Sequence, residues 1–176
     1  MSRYHTVFLD RDGVINRMRD DYVKSWDDFE LLPGAVEAIV RLGRSGRDVI
    51  VLTNQSAIAQ RLVTLEVVDE IHSRLASLVA ERGGHIRAFL ICPHSRDEGC
   101  DCRKPAPGLL LRARDELGAR LADAVMIGDQ ASDVEAARAA GCEAILVNAE
   151  DDELSLSTGC TSVRTLVDAV DMICGD

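Results

Sequence analysis

Thr6-Val7-Phe8-Leu9-Asp10-Arg11-Asp12-Gly13 decides the reading of this chain. Four β-forming residues end abruptly on two carboxylates and a glycine that lets the backbone turn. The same punctuation recurs downstream. Asp48 to Leu52 contains the buried-strand run Val-Ile-Val-Leu and ends in Thr53 and Asn54. Ala124 to Ile127 ends in Gly128-Asp129, and Arg87 to Cys92 and Glu143 to Val147 are further short apolar runs. Between them lie stretches of helical period. Pro33 to Gly46 spaces Val36, Ile39 and Val40 on one face. Thr64 to Arg82 aligns Val68, Ile71, Leu75, Leu78 and Val79 before Gly83-Gly84 ends it. Pro107 to Gly118, Ser132 to Ala140 and Thr161 to Ile173 complete the set, with Ser132 or Asp133 expected to cap its helix.

Alternation of this kind predicts the α/β class: a doubly wound, Rossmann-like parallel sheet flanked by helices. Such sheets bind ligands beyond the carboxyl ends of their strands. The residues at those ends are Asp10, Asp12, Thr53, Asn54 and Asp129, so three strands deliver carboxylates and a hydroxyl to one edge. Residues 11 to 32 fit no regular element. A connection of that length is usually functional, and 13–32 is expected to be a flap over the site.

The chain has 176 residues, 47% of them hydrophobic, enough for a sizeable core. This predicts one domain over 1–176, with no room for a separate cap domain. Lys and Arg number 20 against 30 Asp and Glu, a net charge of −10. That acidity argues against a nucleic-acid partner and against anionic membrane surfaces. No apolar run approaches the ~18 residues of a membrane span. Asp10, Arg11 and Asp12 interrupt the only early apolar stretch, so no signal peptide is read there, and a cytoplasmic, monomeric protein is expected.

Six cysteines in a reducing compartment need a role other than disulfides. Cys92, His94, Cys100 and Cys102 follow the spacing Cys-x-His-x5-Cys-x-Cys, a donor set suited to tetrahedral Zn²⁺. Four protein ligands leave no open position, which makes the zinc structural. The loop 92–104 ends in Arg103 and Lys104, and an ordered loop would aim both cations at the substrate. His5, His72 and His85 have no spacing partners and read as structural or solvent-facing. Cys142, Cys160 and Cys174 read as small buried groups, Trp26 as packing under the flap, and 150–158 as a surface loop.

Taken together, Leu-Asp-Arg-Asp-Gly, Thr-Asn-Gln, Arg-Lys-Pro and Gly-Asp-x-x-x-Asp resemble the four motifs of the haloacid-dehalogenase superfamily of phosphohydrolases, over about residues 5–148. With Cys-Pro-His, Cys-x-Cys-Arg-Lys-Pro and Asp-Arg-Asp-Gly-Val-Ile-Asn, the chain resembles the D-glycero-D-manno-heptose-1,7-bisphosphate 7-phosphatases. The phosphatase domain of histidinol-phosphate phosphatases is a close relative. The resemblance implies a Mg²⁺-dependent phosphatase of a small phosphorylated sugar. In it Asp10 is the nucleophile, Asp12 the general acid and base, and Thr53 and the Asn54 N–H hold phosphate oxygens beside Lys104. Asp10, Asp129 and the Asp12 backbone carbonyl would hold Mg²⁺, with Asp133 orienting Lys104 or a water. Substrate contacts would come from Asp20, Asp21, Tyr22, Val23, Asn54, Gln55, Ser56 and Arg103. The chain departs from the family pattern at Ala57, where glycine is usual, so a loop of different shape is expected there. Histidinol phosphate is the alternative substrate. A phosphoacceptor signalling domain is the alternative class, and it would lack both a second Asp to activate water and a zinc loop.

Overall fold

The computed structural model describes residues 3–147 and 156–175. Strand β1 (Thr6–Leu9) lies at the middle of a six-stranded sheet, between β2 (Asp48–Asn54) and β4 (Ala124–Gly128). β3 (Ala88–Cys92) flanks β2, and β5 (Glu143–Val147) and β6 (Thr161–Val163) continue the other side, giving the order β3-β2-β1-β4-β5-β6. Every pairing is parallel. β1 is apolar at consecutive positions because both of its faces are covered. Val7 and Leu9 enter one core cluster and Phe8 the other.

Helices α1 (Ala35–Arg44), α3 (Leu65–Glu81) and α6 (Leu166–Cys174) cover the first face through Ile39, Ile71, Leu75 and Val170. α4 (Gly108–Leu117) and α5 (Ala131–Ala140) cover the second through Leu109, Leu110, Ala136 and Ala137. The expected periodicities place α1, α3, α4 and α5 within a residue or two of their observed ends. Thr64 caps α3 by accepting from the Val67 N–H at 3.4 Å.

Two local readings change. Thr161–Val163 is a strand rather than the start of the last helix: it pairs with the open edge of β5, and the Thr165–Asp168 capping box starts α6 at Leu166. Ser56–Ala59 forms a short helix, α2, inside which Ala57 is buried. Ala57 thus avoids the left-handed conformation that a glycine would permit, and Arg61 adopts it instead, at φ 57°. Of the surface loop expected at 150–158, residues 150–155 lie outside the described residues.

The segment 13–32 contains no helix or strand, only isolated bridges from Asn16 to Asp12 and to Leu31. It is nevertheless packed: Val14, Ile15, Val23 and Phe29 join the first core cluster, and Trp26 stacks on Phe29 with centroids 5.3 Å apart. Among the described residues no helix is long and apolar enough to cross a membrane.

Register sets up the site. Leu9 lies opposite Val51 on β2 and Ile127 on β4. The next residues of all three strands therefore emerge side by side, and these are Asp10, Leu52-Thr53 and Gly128-Asp129.

Candidate active site

Asp10 continues the sheet by one bond, its N–H donating to the Ile127 carbonyl at 2.9 Å. Its carboxylate faces the ammonium of Lys104, with Oδ1 at 2.9 Å from Nζ. The same Nζ lies 2.7 Å from Asp133 Oδ1 and donates to the Leu52 carbonyl at 2.9 Å. Lys104 is buried, so this ammonium is committed to the site. Burial works against its charge, but Asp10 and Asp133 outweigh it and lift its pKa above the usual lysine value.

Two glycines let the carboxylates close in. Gly13 turns at φ +85°, and a Cβ there would lie 2.0 Å from Asp129 Oδ2. A Cβ on Gly128 would lie 2.3 Å from the Asp133 carboxylate. Asp10, Asp129 and Asp133 consequently offer ligand atoms within 4.8 Å of one another. Asp133 also accepts from the Gln130 N–H at 3.1 Å, so it closes the start of α5 from inside the first turn, and Ser132 is no cap.

Three carboxylates against one ammonium leave the pocket short of positive charge. Burial pushes Asp10 up to about 8, with Asp133 and Asp129 adding to the effect and Lys104 opposing it. Burial likewise pushes Asp129 up to about 6. Asp129 Oδ1 is buried and has no hydrogen-bond partner. An orphaned hard oxygen on Asp129, beside an Asp10 whose ionisation burial also suppresses, is what a site for a small divalent cation requires, and the donor set fits Mg²⁺.

Asp12 stands outside this trio. Its Oδ1 accepts from Arg11 Nη2 and Asn16 Nδ2, each at 2.9 Å, and its Oδ2 from Gln55 Nε2 at 2.8 Å. Burial would raise its pKa, but these donors outweigh it and hold the carboxyl below the usual range. Thr53 is fully buried, and its Oγ1 accepts from Gln55 Nε2 at 2.8 Å. Asn54 locks the loop carrying the ammonium, bonding both the N–H and the carbonyl of Lys104, at 3.2 and 3.1 Å.

A cavity of about 400 Å³ is lined by Asp10, Asp12, Lys104 and Asp133, whereas Thr53 and Asp129 are not among its lining residues. Its wall includes Tyr22, Val23, Asn54, Gln55, Ser56 and Arg103, all expected from the sequence. Asp20 and Asp21 are not among its lining residues. Both are exposed, Asp21 is held by Arg19 and Lys24, and Tyr22 next to it adopts φ 66°. Met18, Arg19 and Arg96 line the wall instead, and the sequence reading overlooked them. Arg19, Arg96 and Arg103 make the rim basic on a protein of net charge −10, so anion attraction here is local. Arg61 is exposed and does not line the cavity.

The four donors of the 92–102 loop converge. Cys102 Sγ lies 3.0 Å from Cys92 Sγ and 3.6 Å from Cys100 Sγ, and Cys92 and Cys100 are 3.6 Å apart. His94 Nδ1 lies 3.2 Å from Cys102 Sγ and 3.6 Å from Cys92 Sγ. A tetrahedron with Zn–S of ~2.3 Å has edges of about 3.8 Å, so these atoms could close on one ion with small adjustments. Arg103 is tied to the loop by donation from Nη1 to the His94 carbonyl at 3.1 Å.

Residues 101–161 match the family model for HAD-hydrolase-like proteins. A Pseudomonas aeruginosa protein named D-glycero-beta-D-manno-heptose-1,7-bisphosphate 7-phosphatase is 47% identical over 141 residues, covering 80% of this chain and 79% of the relative. The chain belongs to the D-glycero-D-manno-heptose-1,7-bisphosphate 7-phosphatase family of haloacid-dehalogenase-like hydrolases. A Mycobacterium tuberculosis member, named for the alpha anomer, is 41% identical over 152 residues, 80% of this chain and 78% of its own. The crystal structure of the heptose-bisphosphate phosphatase from B. bronchiseptica, complexed with magnesium and phosphate, superposes with a TM-score of 0.90. It is 33% identical and covers 97% of this chain and 98% of its own. As a member of this family the protein is a phosphoric monoester hydrolase.

Proposed function

We propose that this protein removes the 7-phosphate of D-glycero-D-manno-heptose 1,7-bisphosphate through an aspartyl-phosphate on Asp10. The observation that carries the reading is the Lys104–Asp10 pair beside the unpartnered Asp129 oxygen, in a chain 47% identical to a named heptose-bisphosphate phosphatase. Asp10, Asp129 and the Asp12 backbone carbonyl would hold Mg²⁺. When bound, the ion supplies the positive charge that keeps Asp10 ionised and screens it from the phosphate.

In this reading the Asp10 carboxylate attacks phosphorus and the bond to the sugar oxygen breaks. Asp12 gives that oxygen a proton, the dianionic substrate beside it having opposed its resting negative charge. Asp12 then takes a proton from the water that attacks the aspartyl-phosphate, and phosphate leaves. Thr53 and the Asn54 N–H hold phosphate oxygens, and Lys104 offsets charge on the transferring group. The basic rim of Arg19, Arg96 and Arg103 suits the second phosphate of a bisphosphate better than the imidazole of histidinol phosphate.

We further infer that 1–176 is one phosphatase domain. The segment 13–32 and the loop 92–104, with a structural Zn²⁺ on Cys92, His94, Cys100 and Cys102, stand in for a cap. Thiol ligation of that kind suits a reducing cytoplasm. Phosphate release from both anomers of the heptose bisphosphate and from histidinol phosphate, with and without chelator, tests the assignment. Preferred turnover of one heptose anomer, lost on chelation and restored by Mg²⁺, is expected. Equal or better turnover of histidinol phosphate would overturn it.

A further inference from the structure

Behind the two carboxylates of the Asp10–Asp12 motif runs a chain of buried hydrogen bonds that the reaction scheme does not use. His72, on α3, is buried and stacks on Phe89 with centroids 4.4 Å apart. Its Nε2 lies 3.3 Å from Arg11 Nη1. Arg11 is 1% exposed, its guanidinium 5.6 Å from the Phe29 centroid. Its Nη2 contacts both Asp12 Oδ1 and, at 3.2 Å, Gln55 Oε1. The amide nitrogen of Gln55 then serves Asp12 Oδ2 and Thr53 Oγ1.

The direction of every bond in this chain is fixed by chemistry. A guanidinium only donates, so His72 Nε2 must accept and the imidazole is neutral, with its proton on Nδ1. Burial first, and the charge of Arg11 second, push His72 down to about 3, which agrees. Gln55 Oε1 accepts from Arg11, so its amide nitrogen is left to donate. Thr53 Oγ1 already accepts from that amide, which leaves its own O–H to donate elsewhere. Asp12 is gripped at both oxygens, and the part of its side chain that stays exposed, 19%, lies on the cavity wall.

From this geometry we infer that His72 and Arg11 are positioning residues: His72 fixes the Arg11 fork, and the fork with Gln55 aims the Asp12 carboxylate and the Thr53 hydroxyl at the substrate. The inference rests on the proposed role of Asp12 in protonating the leaving oxygen. His72 touches neither substrate nor reacting atoms, and it lies 62 positions beyond Asp10 in the numbering, with no motif to mark it.

The test separates aim from mere folding by changing how much the leaving group needs a proton. Phosphorylation of Asp10 is followed by rapid quench in a single turnover. One substrate is the heptose bisphosphate, whose alkoxide must be protonated; the other is 4-nitrophenyl phosphate, whose phenolate leaves without help. His72→Leu keeps volume and apolar packing but removes the acceptor, and His72→Met is a second such variant should the first fail to fold. His72→Gln returns an oxygen near the Nε2 position.

Phosphoenzyme formation from the sugar is expected to slow about tenfold or more in the apolar variants, a fraction of what general acids typically contribute. The nitrophenyl ester should stay within about twofold of wild type, and His72→Gln should recover most of the lost rate on this general-acid scale. Equal losses on both substrates, no loss, faster turnover or failure of the glutamine to rescue would overturn the inference alone. If the unaltered enzyme forms no base-labile phosphoenzyme with either substrate, the aspartyl-phosphate reading falls, and the inference with it.

Discussion

The carboxylates at the ends of β1 and β4 and the thiols of the 92–102 loop are both packed close enough to share an ion, yet they differ in burial and in charge. Asp10, Asp129 and Asp133 are buried and carry a cation of their own in Lys104. Cys100, Cys102 and His94 are only half-buried, and the four donors form a closed set. An excess of buried negative charge is costly at rest, and it gives a divalent ion and a phosphoryl group something to bind. A closed thiol set gains its stability from the metal alone and contributes position rather than reactivity. The two regions meet at Arg103 and Lys104, where the loop of the second delivers the cation of the first.

Removing the proposed nucleophile should separate the regions most sharply. Asp10→Asn is expected to lower phosphate release by about a thousandfold or more while zinc content and melting temperature hold. Retained turnover would remove Asp10 from the chemistry. Lys104→Met comes next. It strands Asp10 and Asp133 without their shared partner, so activity should fall by about a hundredfold and stability by about 3 kcal/mol, read by denaturant unfolding. A stable, active Lys104→Met protein would mean that the carboxylates do not depend on the internal cation.

Cys100→Ser sharpens the link between the regions. It should release the loop metal, measured by elemental analysis, and reduce activity by roughly ten- to a hundredfold through misplaced Arg103 and Lys104, without touching a catalytic group. Activity unchanged after metal loss would uncouple the loop from the site.

The smallest effect is a stability slope in Mg²⁺-free protein. Asp10 and Asp129 have pKa values raised from 3.8 to about 8 and about 6. Between those limits the folded protein holds protons that the unfolded chain has lost. Their stabilising contribution is therefore full below pH 4 and declines as pH rises toward 8, by up to about 1.4 kcal/mol per unit for each proton. Mg²⁺ should flatten this decline in thermal melts taken across the range, and a decline that persists unchanged with Mg²⁺ would argue against the ion binding these carboxylates.

Much of this was legible because short parallel strands announce themselves. Val-Phe-Leu-Asp and Val-Met-Ile-Gly-Asp each change from apolar to acidic at the sheet's carboxyl edge, so Asp10 and Asp129 are marked by the same discontinuity. The four donors of the 92–102 loop are marked by spacing. Thr161–Val163 was misread because three residues cannot display a period, and only the open edge of β5 identifies them as a strand. Asp20 and Asp21 do not line the cavity, and Asp21 pairs with Arg19 and Lys24, partners that a motif match does not select.

Sequence alone therefore determined the α/β class, the carboxylates that meet at the sheet's edge, and the donor set of the loop, since each is a local pattern fixed by chain chemistry. Tertiary structure alone decided that His72 stands behind Arg11, that Gln55 joins Asp12 to Thr53, and that Arg19 and Arg96 line the cavity while Asp20 and Asp21 do not. Those contacts join groups that are remote in the chain, and no residue type or spacing encodes them until strand register and loop packing bring the groups together.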